Sequence, residues 1–258
     1  MIDAIYGDIA GSKYEFHNIR TKEFELLDKN CYFTDDTVCT IAFMDFLMNA
    51  KERNEEEATK YLRKWTRNYP NKGYGEHFYS WIYSDNPAPY GSYGNGSAMR
   101  ISSVAYVAKS LDELKNLSDV VTKITHNARE GMKGALVVAT CIYMSLHGKN
   151  KEEIKEYACN QYPEIKSFDY ETLRRTYKFS EKCQESVPQA IYCFLISKDF
   201  KDCAKTTISI GGDCDTTAAI SCAIAEAYYG ISKEDEEKAK SFLTPEMVKI
   251  VDEFKEYG

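Results

Sequence analysis

The nine cysteines contain no CxxC pair, so nothing here resembles a cysteine-built zinc site. Their number is odd, and at least one thiol stays unpaired within the chain, so free thiols in a reducing compartment are expected. Six prolines and 14 glycines in 258 residues are too few for a disordered or collagen-like chain. Basic excess is also missing. A net charge of -7 argues against a general nucleic-acid binder, leaving nucleic acid only as a modified substrate. No apolar run reaches the length of a membrane span, and no membrane partner is expected. The opening MIDAIYGDIAGSKYE has neither a basic n-region nor a long apolar h-region, so no signal peptide is expected and a cytoplasmic location is.

Alternating β-branched runs are nearly absent as well. What is present has a helical period. Val38, Ile41, Ala42, Phe46 and Leu47 share one face, as do Ala58, Tyr61, Leu62 and Trp65. Met132 to Leu146 is apolar on most sides and predicts a buried central helix. Ala218 to Tyr229 is alanine-rich and stops at Gly230. Glu246 to Phe254 predicts an exposed helix with Met247, Ile250, Val251 and Phe254 inward. The fold class is therefore all-α, a single compact domain over residues 1–258, with no linker to divide it. Residues 70–96 hold three of the six prolines and several glycines and tyrosines, and predict the longest loop. No interface pattern stands out, so a monomer is the default.

Two stretches gather oxygen ligands at helix starts. In Phe33-Thr34-Asp35-Asp36-Thr37, two acids and two hydroxyls precede an apolar helix. Helix capping and the helix dipole explain such a pattern when it stands alone. In Gly211-Gly212-Asp213-Cys214-Asp215-Thr216-Thr217 the same chemistry recurs after two glycines. Capping accounts for one acid there, not for a second near-identical cluster. If the two helix starts converge, they form an all-oxygen cage. Such a cage suits Mg²⁺, Ca²⁺ or Mn²⁺ rather than zinc, and four acids can hold two ions.

Three further stretches are weaker. Gly7 and Gly11 lie four apart in an apolar segment, which suits close helix packing, and Glu15 beyond them reads alone as a surface acid. Tyr90 to Arg100 holds glycines 91, 94 and 96, a candidate phosphate cradle that lacks the Gly-Lys-Ser/Thr of a P-loop. A structural turn explains that stretch equally well. His126 follows Thr125 ahead of the Met132 helix, where a lone histidine is more often structural than functional.

Taken together, GDIAGSKYE, FTDDT, GNGSAMR, the Thr125-His126 pair and GGDCDTTAAISCAIAEAYYG resemble the ADP-ribosylglycohydrolase family, in that family's order from Gly7 to Gly230. The resemblance implies an all-α fold around an acidic cleft, with two Mg²⁺ ions (Mn²⁺ as the alternative). By motif match it implies Thr34, Asp35, Asp36, Asp213, Asp215 and Thr216 as metal ligands. It places Glu15 near the reacting ribose. Gly94, Asn95, Gly96, Ser97, Met99, Arg100 and His126 would lie against ADP-ribose. Cys214 departs from the threonine frequent in the family's GGDTDT, and no oxygen ligand is lost by it.

The implied reaction is hydrolysis at C1″ of ADP-ribose attached to an acceptor, through an oxocarbenium-like state. Glu15, Asp36 and Asp213 are the candidate catalytic acids, and which of them activates water is left open. The competing expectations are an ADP-ribose-binding module, a crystallin-like structural relative, and a metal-dependent hydrolase of another phosphorylated sugar.

Overall fold

The computed structural model describes residues 2–258. Among them are fourteen α-helices and no strand. The helices are α1 (Asp3–Ser12), α2 (Asp35–Asn49), α3 (Glu55–Asn68), α4 (Glu76–Tyr83), α5 (Ser102–Val107), α6 (Leu111–Lys123) and α7 (Arg129–Leu146). They continue with α8 (Lys151–Gln161), α9 (Tyr170–Thr176), α10 (Cys183–Ile196), α11 (Phe200–Ser209), α12 (Cys214–Tyr229), α13 (Lys233–Lys240) and α14 (Pro245–Tyr257). The all-α expectation holds, and no helix among the described residues is long and apolar enough to cross a membrane.

Helix α12 is the spine. Every residue from Cys214 to Ala225 is buried, and α1, α7, α10 and α11 pack around it. Alanines let neighbours come close, and the glycines of α1 exploit this. A Cβ on Gly7 would lie 2.2 Å from the carbonyl oxygen of Ala218, and one on Gly11 would lie 2.5 Å from that of Cys214. No other residue fits there without moving backbone. Thus α1 lies in contact with the first turns of α12.

Helix α2 is buried from Asp36 to Leu47, on more sides than the one-faced spacing implies, because α1, α3, α5 and α14 all pack on it. The outer helices follow their patterns. In α3 Ala58, Leu62 and Trp65 face inward, and in α14 so do Met247, Ile250, Val251 and Phe254. One expectation fails. Residues 70–96 are not one loop, because α4 lies inside them, with Phe78, Trp81 and Ile82 turned to the core. Those three follow helical spacing, but the segment is short and hemmed by glycine and proline. All nine cysteines are buried, and none is in a disulfide.

Candidate active site

The chain enters α2 and α12 by different routes, and both starts face one spot. Thr34 is the N-cap of α2, and its hydroxyl accepts from the Asp36 amide at 3.3 Å. At α12 the turn is made by Gly211 (φ 71°) and Gly212 (φ 78°), a backbone that side chains disfavour. Asp213 occupies the N-cap position of α12 but makes no side-chain cap hydrogen bond. Its Oδ2 instead accepts from the Asn95 side-chain amide at 2.7 Å. Capping therefore does not account for this acid.

The two clusters meet. The Thr216 hydroxyl donates to Oδ1 of Asp36 at 3.4 Å. Carboxylate oxygens of Glu15, Asp213 and Asp215 lie within 4.8 Å of one another. Asp36 and Asp215 are each 4% exposed or less, yet Asp36 Oδ2 and Asp215 Oδ1 have no hydrogen-bond partner. A buried orphan carboxylate oxygen costs free energy unless something positive meets it.

Electrostatics says the same. Burial, then neighbouring carboxylates, raise the Asp35 pKa to about 8 and the Glu15 pKa to about 7. Asp36 and Asp215 are pushed well above the usual carboxylate range by burial first and by adjacent acids second. Burial also raises Asp213, against the hydrogen bonds it accepts. Hard oxygen donors, crowded and underpaired, fit a divalent cation. Thr34, Asp35, Asp36, Asp213, Asp215 and Thr216 all belong to this region, as does Glu15.

A cleft of about 710 Å³ opens over these acids. Its floor includes Glu15, Asp35, Asp36, Asp213, Asp215 and Thr216, and its far wall includes Gly94, Asn95, Gly96, Met99, Arg100 and His126. Ser97 is not part of the wall. Its hydroxyl donates to the Gly131 carbonyl at 2.9 Å and ties the glycine loop to α7. The Cys214 thiol points away from the acids, toward the Ile208 carbonyl at 3.7 Å.

Arg100 is 1% exposed, between the rings of Phe43 and Phe78 at 5.3 and 5.5 Å. Its Nη2 donates to the Thr125 hydroxyl at 2.6 Å, and that hydroxyl lies 2.7 Å from His126 Nδ1. The guanidinium can only donate, so the Thr125 proton goes to Nδ1 and the His126 proton sits on Nε2. Nε2 lies beside the glycine loop, 3.4 Å from where a Cβ on Gly96 would be. Burial, helped by the Arg100 charge, holds the His126 pKa well below its usual value and keeps the ring neutral.

Asp8 is not among the site residues expected from the sequence. The signal was an acid inside an apolar helix. Asp8 is fully buried and accepts from the Thr34 amide and hydroxyl at 2.9 and 2.7 Å. It also accepts from the Thr37 amide at 3.1 Å and from the Thr37 hydroxyl.

Comparison with known proteins gives the class. The family model for ADP-ribosylglycohydrolase matches residues 4–239, and the chain belongs to that family of hydrolases acting on glycosyl bonds. Among its relatives it is similar to ADP-ribosylhydrolase ARH3 of Mus musculus, at 27% identity over 310 aligned positions covering 90% of this chain and 83% of the mouse protein. It is also similar to the ADP-ribosyl-[dinitrogen reductase] glycohydrolase of Rhodospirillum rubrum, at 24% identity over 87% of this chain and 78% of that protein. A solved structure described as an ADP-ribosylglycohydrolase-related protein complex superposes with a TM-score of 0.72, over 96% of this chain and 93% of that one, at 20% identity. That last likeness speaks for the fold alone.

Proposed function

We propose that the chain is a divalent-cation-dependent hydrolase that cleaves the C1″ bond between ADP-ribose and its acceptor. The observation that carries this reading is the pair of buried orphan oxygens, Asp36 Oδ2 and Asp215 Oδ1, on two residues that line one acid-rich cleft. Thr34, Asp35 and Asp36 from α2, with Asp213, Asp215 and Thr216 from α12, would hold two Mg²⁺ ions, with Mn²⁺ as the alternative. Bound there, such ions would orient ribose hydroxyls and offset negative charge.

The chain's own residues do the rest. The Glu15 carboxylate, with its pKa raised to about 7, suits a base that takes a proton from the attacking water. The water oxygen bonds to C1″, the bond to the acceptor breaks, and the proton taken up by Glu15 passes to the departing acceptor atom. Asp36 and Asp213 lie beside the developing positive charge at C1″ and stabilise it. The neutral His126 offers its Nε2 proton to a phosphate or ribose oxygen. The wall of Gly94, Asn95, Gly96, Met99 and Arg100 holds the remote part of ADP-ribose, so binding energy there positions the reacting bond. Nine buried thiols outside any disulfide favour a reducing, cytoplasmic compartment.

The test is release of free ADP-ribose from an arginine-modified protein, a serine-modified peptide and a modified nucleic acid, each with Mg²⁺ and with EDTA. Release from at least one substrate, lost in EDTA and lost in Asp213→Ala, is the expected result. Full activity of Asp213→Ala would overturn the ligand assignment. Binding of ADP-ribose with no release from any substrate would replace the hydrolase by a binding module.

A further inference from the structure

A carboxylate buried in the middle of a helix needs compensation, and Asp8 finds it in the N-cap and first turn of α2. Its Oδ1 accepts from the Thr34 hydroxyl, and its Oδ2 accepts from the amides of Thr34 and Thr37 and from the Thr37 hydroxyl. These donors belong to the turn that presents Asp35 and Asp36. Asp8 itself does not line the cleft. It acts as an N-terminal cap for α2 supplied by another helix.

Two consequences follow from the bond directions. The Thr34 hydroxyl gives its proton to Asp8, so only oxygen lone pairs remain to it, one of which accepts from the Asp36 amide. Secondly, the same helix that carries Asp8 is locked onto α12 through Gly7 and Gly11, where a Cβ would strike the backbone of Ala218 and Cys214. One rigid element thus contacts both acid-bearing helix starts.

We infer that Asp8 is the positioning residue of the cation site. It fixes the oxygen of Thr34 as an acceptor and holds the α2 acids at a set separation from those of α12. The inference rests on the reading that these acids hold a divalent cation.

The experiment is a calorimetric titration of Mn²⁺ into metal-stripped protein, for wild type, Asp8→Asn, Thr37→Val, Thr37→Ser and the Asp8→Asn/Thr37→Val double variant. Circular dichroism in EDTA first establishes that each is folded. Replacing a group that orients metal ligands weakens metal affinity by about 10–100-fold, and Asp8→Asn should do so. Thr37→Val should weaken it by a smaller factor, and Thr37→Ser should keep wild-type affinity. The double variant should be no worse than Asp8→Asn alone, because the Thr37 hydroxyl acts on the site only through Asp8. Folded Asp8→Asn with wild-type affinity would overturn the inference, as would effects that multiply in the double variant. If Asp8→Asn does not fold, Thr37→Val decides: wild-type affinity there also overturns it. Absence of Mn²⁺ binding by wild type would instead bring down the cation reading, and this inference with it.

Discussion

Asn95 reaches across 118 residues of sequence to donate its side-chain amide to Asp213 Oδ2 at 2.7 Å. The glycine loop and the second acid cluster are therefore one unit. Asn95→Ala removes the donor and leaves a buried carboxylate oxygen unpaired, so kcat should fall about 10–100-fold, with weaker divalent affinity. Asn95→Asp should be worse, because it sets carboxylate against carboxylate. Steady-state kinetics with Mn²⁺ titration checks both. A rise in KM alone, with kcat and Mn²⁺ affinity unchanged, would mean that Asn95 serves substrate binding and not Asp213.

The Thr125 hydroxyl sets the tautomer of His126 by accepting from Arg100 and donating to Nδ1. In Thr125→Val that proton is gone, and the histidine is free to carry its own on Nδ1. The expected result is a KM for ADP-ribosylated substrate raised about tenfold, the worth of one hydrogen bond to a charged group, with Thr125→Ser close to wild type. Nitrogen-15 spectra of histidine-labelled protein would show the tautomer change directly. An unaltered Nε2–H signal in Thr125→Val would remove the argument.

Glu15 and Asp35 titrate near 7 and 8 in the folded chain without metal, well above the values of an unfolded chain. Between about pH 4 and pH 8 the folded state therefore holds more protons than the unfolded one, and stability falls as pH rises through that window. In EDTA, Tm should be lower at about pH 8.5 than at about pH 6, and added Mn²⁺ should raise it more at the higher pH, where fewer protons compete. An EDTA Tm that stays flat or climbs over this range would contradict the crowding of these acids.

The two acid-bearing helix starts were legible because capping, periodicity and oxygen-rich patterning are local. FTDDT and GGDCDTT each announce a helix and a set of oxygen donors within seven residues or fewer. What joins them is not local. The Thr37–Asp8 contact spans 29 residues, the Asn95–Asp213 contact 118 and the Thr216–Asp36 contact 180. No one-dimensional pattern carries those pairings, so nothing local marks Asp8 as part of the site or sets Ser97 apart from the cleft-lining residues of its loop. Helix α4 was hidden for a different reason. Its three inward residues are too few to build a periodic signal beside Gly73, Gly75, Pro87 and Pro89.

Phe16 stacks on Phe179, which lines the cleft, with ring centroids 6.1 Å apart and planes inclined by 24°. Their exposures are 73% and 44%, far above the rest of the phenylalanines near the site, and core packing does not account for them. Phe16 directly follows Glu15, and Phe179 lines the cleft on the side of Glu181 and Lys182. The mouth beside Glu15 is where an acceptor would sit while ADP-ribose fills the interior. Phe16→Ala and Phe179→Ala should then raise KM for an intact ADP-ribosylated substrate several-fold, since a lost ring contact is worth about 0.5–1.5 kcal/mol. Calorimetric affinity for free ADP-ribose should stay within about twofold of wild type, because a surface change away from its contacts is worth at most about 0.5 kcal/mol. Equal weakening of both ligands would place the rings against ADP-ribose itself and leave acceptor choice to other residues of the rim.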